Sequence, residues 1–200
     1  MQRLDHRQFA AIGHSLGGWT VMALIGGGFD APRHADYCAG HPDRADCRFM
    51  REAGVVGHPE HLADLAGTDA DPRIGAVVTL DLAFTQGFAR ASLAGISVPV
   101  LVIGAQRGGV LNLDMESRAL AGALTGASAS YEEPDGVSHY DFVGTCKSGG
   151  LAILAEEDPD FVAVCSEGGA QRVARHAVVA ALVTDFLNAT FPDVDRLSSE

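Results

Sequence analysis

Residues 9–19 run Phe9-Ala-Ala-Ile-Gly-His-Ser-Leu-Gly-Gly-Trp19. An apolar run over 9–12 predicts a short strand, the glycines that follow predict a tight turn, and a helix is expected over about 15–25. Gly13-His14-Ser15-Leu16-Gly17 fits G-x-S-x-G, the pattern of a nucleophile elbow. There the serine sits on a strained strand-to-helix turn that lifts its hydroxyl clear of the sheet. Gly13 and Gly17 lack a Cβ, so strand and helix can approach closely on either side of Ser15, and Gly18 extends that allowance. The backbone N–H of Leu16, at the helix N-terminus, is placed to face a developing oxyanion. The plainer alternative is a glycine-rich turn whose serine merely caps the helix.

Outward from this stretch, composition sets the bounds. Two hundred residues suit one domain with a sizeable core. With 47% apolar and 20% charged residues the chain has a globular composition. A net charge of −12, with no Lys/Arg cluster, argues against nucleic acid as a partner. No apolar run spans a bilayer; Val98 to Ala105 is far too short. Met1 is followed by Gln2, Arg3, Asp5, His6 and Arg7, which is no signal peptide.

Four cysteines lie in polar, loop-like segments. They allow three connectivities, of which Cys38–Cys47 with Cys146–Cys165 closes the shortest loops and is expected. Each such bridge stabilises by about 3 kcal/mol in the chain-entropy model. Disulfides place the chain in an oxidising compartment, extracellular or periplasmic. They are reconciled with the missing signal peptide if the natural chain begins upstream of Met1.

Past the elbow, Gly26-Gly-Gly28 ends the first helix. From about 29 to 72 periodicity fails, and Pro, Gly, Asp and His accumulate. This segment reads as an insertion with one or two short helices around the first cysteine loop. It carries His34, His41, His58 and His61. His58 and His61 can share a helix face, but no cysteine or carboxylate pattern completes a metal site, so no metal and no cofactor are expected.

Ile74-Gly-Ala-Val-Val-Thr-Leu80 is a continuous apolar run that predicts a buried strand ending at Asp81. A helix or irregular turn over Phe84 to Ala94 leads to a second buried strand over 98–104. Leu113, Ser117, Leu120 and Leu124 recur at helical spacing. A short strand over 127–132 and a loop over 133–138 deliver His139. Val179, Leu182, Val183 and Phe186 mark the inner face of a last helix. Alternating strands and helices predict an α/β fold, a mostly parallel sheet with helices on both faces.

A serine hydroxyl needs a base, and the base an orienting acid, in the chain order Ser, acid, His for this arrangement. His139 is the candidate base; it follows the last strand and precedes Tyr140 and Phe142. His176 falls inside the last helix. Ala105-Gln-Arg-Gly-Gly-Val-Leu-Asn112, after the 98–104 strand, holds no carboxylate, and Asp114 is the first beyond it. Asp81 is preferred as the acid, because a strand end holds a side chain more rigidly than a loop.

Gly13-His-Ser-Leu-Gly-Gly18, Thr79-Leu-Asp-Leu-Ala83 and Ser138-His-Tyr-Asp-Phe142 together resemble the platelet-activating-factor acetylhydrolase and dienelactone-hydrolase-like branch of the α/β-hydrolases. In the acetylhydrolases the acid follows the strand that corresponds to the one before Asp81. The histidine opens a short motif ending in phenylalanine, as His139 does. The cysteine pairs are similar to those of secreted bacterial relatives. Dienelactone hydrolases use a cysteine nucleophile, and Ser15 in its place implies ordinary ester hydrolysis. The resemblance covers nearly all of the chain.

Family members place several strands before the elbow, and the loop after the third supplies a second oxyanion donor. The resemblance therefore implies that 1–200 is the C-terminal half of such a domain. The strand at 9–12 would then be an open edge, prone to self-association or to pairing with an N-terminal half. The expected function is a serine esterase acting on a small or lipid-like ester. The alternative is an inactive hydrolase fragment or interaction module.

Overall fold

A computed structural model describes residues 8–54, 66, 70–107 and 109–192. The chain divides into two compact units, 1–104 with 111–132 and 105–110 with 133–200. His58 and His61 lie outside the described residues.

The first unit is built on four strands, β1 (Phe9–His14), β2 (Ile74–Leu80), β3 (Val100–Ile103) and β4 (Ala129–Glu132), in the order β1-β2-β3-β4. All three pairings are parallel. Helices surround the sheet, as parallel connections require. The first of them, α1 (Leu16–Ala23), packs on β1 and β2. The apolar runs read from the sequence are the interior strands: every residue of β3 is buried, and Ala76, Val77 and Val78 of β2 are wholly so. Neighbouring side chains of a strand point to opposite faces, so both faces of the sheet are covered here.

The ends of these elements move for local reasons. Pro99 has no N–H to give to a ladder, so β3 begins at Val100 rather than 98. β1 runs past 12 because its pairing with β2 persists to His14 opposite Leu80. In α1 the last turn is closed by Gly27, whose N–H donates to the Met22 carbonyl at 2.9 Å. The helical spacing at 113–124 resolves into an Asn112 turn, whose Oδ1 accepts from the Met115 N–H, and then a helix at Ser117–Ala123.

Val21, Met22, Val77, Phe88, Leu93, Val100, Val102 and Leu120 form the main core of this unit. The insertion has two helices among its described residues, α2 (Ala31–Gly40) and α3 (Ala45–Glu52), tied by the Cys38–Cys47 disulfide. Asp30 caps α2 by accepting from the Arg33 N–H. A smaller core of Phe29, Met50, Ala83 and Phe84 seats the insertion on the loop that follows β2.

In the second unit a 3₁₀ turn, His139–Phe142, is followed by the Cys146–Cys165 disulfide and by the long helix α4 (Arg172–Thr190). Val179, Leu182, Val183 and Phe186 form a half-buried stripe on α4, flanked by the exposed Val178. Among the described residues no helix is long and apolar enough to cross a membrane.

Candidate active site

Ser15 is the hinge between β1 and α1. Its φ of 54° and ψ of −122° lie where side chains other than glycine are strained. The turn around it is closely packed. A Cβ on Gly13 would collide with the backbone of Gly17, and one on Gly18 would lie 2.9 Å from the Leu82 Cβ. Gly17 is different: a Cβ there meets nothing within 4 Å, so the close approach needs Gly13 and Gly18 and not Gly17. The Ser15 side chain makes no capping bond to α1. Ser15 nevertheless occupies the N-cap position of α1, with its carbonyl accepting from the Gly18 N–H at 2.9 Å. Leu16 is the first helical residue and is exposed.

Asp81 stands directly after β2, and its neighbourhood mirrors that of Ser15. The last register pair joins His14 to Leu80, so the next residues along, Ser15 and Asp81, leave adjacent strand ends together. Ser15 N–H donates to the Leu80 carbonyl at 3.0 Å, and Ala83 N–H donates to the Ser15 carbonyl at 3.3 Å. Asp81 is buried, with a φ of 43°, and its N–H donates to the Ile103 carbonyl at 2.7 Å. Among the described residues only Ser15, Asp81 and Phe84 combine a side chain with positive φ. All three lie at the carboxyl ends of β1 and β2. Asp114, the other candidate acid, is a surface residue paired with Arg118 at 2.7 Å.

His139 belongs to the second unit, where it is buried and opens the 3₁₀ turn. Ser138 and Asp141 fix that turn reciprocally. Ser138 N–H and Oγ both donate to Asp141 Oδ2 at 2.9 Å, and Asp141 N–H donates to the Ser138 carbonyl at 3.0 Å. Tyr140 packs edge-on to the imidazole, ring centres 5.2 Å apart. Burial opposes ionisation of Asp141. The Ser138 donors and the Arg175 and Arg107 guanidiniums outweigh it and hold the carboxyl below its ordinary value. Arg175 Nη1 lies 3.1 Å from Asp141 Oδ2.

The first turns of α4 supply Arg172 and Arg175, which the sequence did not single out, beside His176. Arg172 is 2% exposed; its guanidinium donates to the carbonyls of Gly144, Val164 and Glu167, and Nε lies 3.7 Å from Asp141 Oδ1. His176 Nε2 is 3.0 Å from the Val143 carbonyl oxygen. One buried arginine thus ties the disulfide-closed loop to the turn that carries His139. Its partners are distant in sequence, so only the fold identifies it.

The histidines of the insertion have other neighbours. His41 stacks on Tyr37, and His34 is buried beside Asp46. The chain matches no protein-family model, no curated protein and no solved structure.

Proposed function

We propose that this chain is a serine-dependent carboxylic-ester hydrolase of the α/β-hydrolase type, related to the acetylhydrolase and dienelactone-hydrolase-like branch. The observation that carries the reading is Ser15: a strained, non-glycine strand-to-helix residue whose hydroxyl is not spent on the helix beside it. Strain at a serine between two obligatory glycines serves no packing purpose that a glycine would not serve better.

In this reading Ser15 Oγ attacks the ester carbonyl as His139 takes its proton. The Leu16 N–H donates to the oxyanion, and collapse expels the alcohol, protonated by the imidazolium. Water, deprotonated by His139, then attacks the acyl-enzyme, releasing the carboxylic acid and restoring Ser15. Asp81 holds the imidazole in the tautomer this cycle needs. The two disulfides support an extracellular or periplasmic setting.

Turnover of a p-nitrophenyl ester tests the reading. Ser15→Ala is expected to abolish it. Asp81→Asn is expected to lower kcat on the order of ten-thousand-fold, as loss of the acid does in other triads. Asp114→Asn is expected to leave kcat unchanged, and a large loss there with a silent Asp81→Asn would move the acid to the loop after β3.

A further inference from the structure

The corner of the insertion where α2 meets α3 holds four metal-ligating side chains in one place. His34 and Cys38 are four residues apart on α2 and share a face; Asp46 and Cys47 are adjacent in the first turn of α3. One donor atom from each lies within 4.8 Å of all the others. His34, Asp46 and Cys47 are each no more than 5% exposed. Asp46 Oδ2 is buried with no hydrogen-bond partner, and His34 Nε2 lies 3.4 Å away. Buried carboxylates are ordinarily satisfied by hydrogen bonds or by a metal.

One spacing already matches an edge of a tetrahedron around zinc. With zinc–nitrogen and zinc–oxygen bonds of about 2.0 Å and a zinc–sulfur bond of about 2.3 Å, the ligand edges are about 3.3 Å for N···O and about 3.5 Å for N···S. His34 Nε2 stands 3.4 Å from Asp46 Oδ2 and 3.6 Å from Cys38 Sγ. Cys38 Sγ is also 3.8 Å from Nδ1, so it lies beside the ring; the nitrogen–oxygen edge is in place, and the nitrogen–sulfur edge is completed when Cys38 swings to the Nε2 side on reduction. The ring of His34 is held by Phe84, stacked at 5.8 Å, and by Phe29 at 5.5 Å, so its direction is set before any ligand arrives. The sulfur-to-sulfur edge does not fit, because Cys38 and Cys47 are bonded to each other.

We propose that Cys38, Cys47, His34 and Asp46 form a redox-gated site for a tetrahedral divalent ion of the zinc class, closed while the disulfide is intact and opened by its reduction. A dithiol gives the disulfide two electrons and two protons and is itself oxidised to a disulfide. The ion then displaces the two thiol protons to solvent and takes two thiolates, the Asp46 carboxylate and the neutral His34 imidazole. Cys38 and Cys47 move apart to about 3.8 Å between sulfurs, the sulfur-to-sulfur edge of the tetrahedron. The inference does not rest on the esterase reading.

Cobalt(II) binding to the full chain tests it. Chain reduced with a water-soluble phosphine, then freed of reductant without air, is expected to bind one cobalt. That cobalt should give thiolate-to-metal charge-transfer absorption and the strong visible bands of tetrahedral coordination, and zinc should displace it. The oxidised chain is expected to show neither band. Cys146→Ser/Cys165→Ser should leave the spectrum intact, which excludes the other pair as the donor. His34→Gln and the isosteric Asp46→Asn should weaken binding by about 10- to 100-fold or more, with circular dichroism reporting whether each remains folded. No thiolate band in the reduced chain overturns the proposal. So does a band indifferent to both His34→Gln and Asp46→Asn, or one that disappears with Cys146 and Cys165.

Discussion

Ser15 and Gly13 sit where strand and helix approach most closely, and the packing at each position is particular to it. A glycine is required at Gly13 because the Gly17 backbone occupies the space of a side chain there, and it is not required at Gly17. The motif alone makes these two glycines equivalent, since it records residue types and not which strand or helix approaches which. Thermal or denaturant unfolding separates them. Gly13→Ala is expected to lose about 1–3 kcal/mol through overpacking of backbone that cannot give way. Gly17→Ala, inside α1 and facing open space, is expected to gain roughly 0.5–1 kcal/mol from the helix propensity of alanine. Equal losses at both positions would mean that the helix approaches the strand differently from the arrangement described. The position of Asp81 was legible for a related reason: it follows directly on a strand whose run is apolar and buried. Arg172 was not legible. Its sequence surroundings are those of an exposed helix start, and its burial depends on carbonyls at Gly144, Val164 and Glu167.

At the scale of elements, interior strands were the clearest features, because burial on both faces demands continuous apolar residues and leaves a mark that no turn can imitate. The insertion helices were harder. α2 carries Pro32 near its start and Gly40 at its end, and what positions it is the Cys38–Cys47 bridge and the contact of Phe29 with the turn after β2. Beneath that turn lies Glu116, whose Oε2 accepts from the Thr85 N–H at 2.8 Å. Burial, reinforced by the charge of Asp46, pushes its carboxyl up from 4.5 to about 8, against the pull of the Thr85 donor. Between about 4.5 and about 8 the unfolded chain has released this proton while the folded chain keeps it. The stabilisation is thus fully present below that window and lost as pH rises through it. Glu116→Gln retains an acceptor for Thr85 and removes the titration. Denaturant midpoints taken across this range are expected to fall with pH in the parent and to fall less in Glu116→Gln. Parallel profiles would show that Glu116 is ionised in the folded protein.

Across the whole molecule, the α/β class and the all-parallel sheet follow from alternating apolar runs and helical periods, while the division into two units does not, because the chain passes into the second unit twice, at 105 and at 133, and no single boundary in sequence marks it. Among the described residues β1 pairs on one side only, with β2, and exposes Phe9 and Ile12. An apolar edge without lysine or proline invites another strand. Light scattering on purified 1–200 is expected to give a mass that rises with concentration above the 20.8 kDa of one chain. Ile12→Lys should lower it, and a parent that is monomeric at all concentrations would show the edge to be protected. Intact mass after reaction with a fluorophosphonate tests whether Ser15 is an activated nucleophile with His139 as its base. One adduct per chain, mapped to Ser15, absent in Ser15→Ala and formed far more slowly in His139→Ala, is the predicted result. An unlabelled chain, or a label that persists in Ser15→Ala, would contradict it.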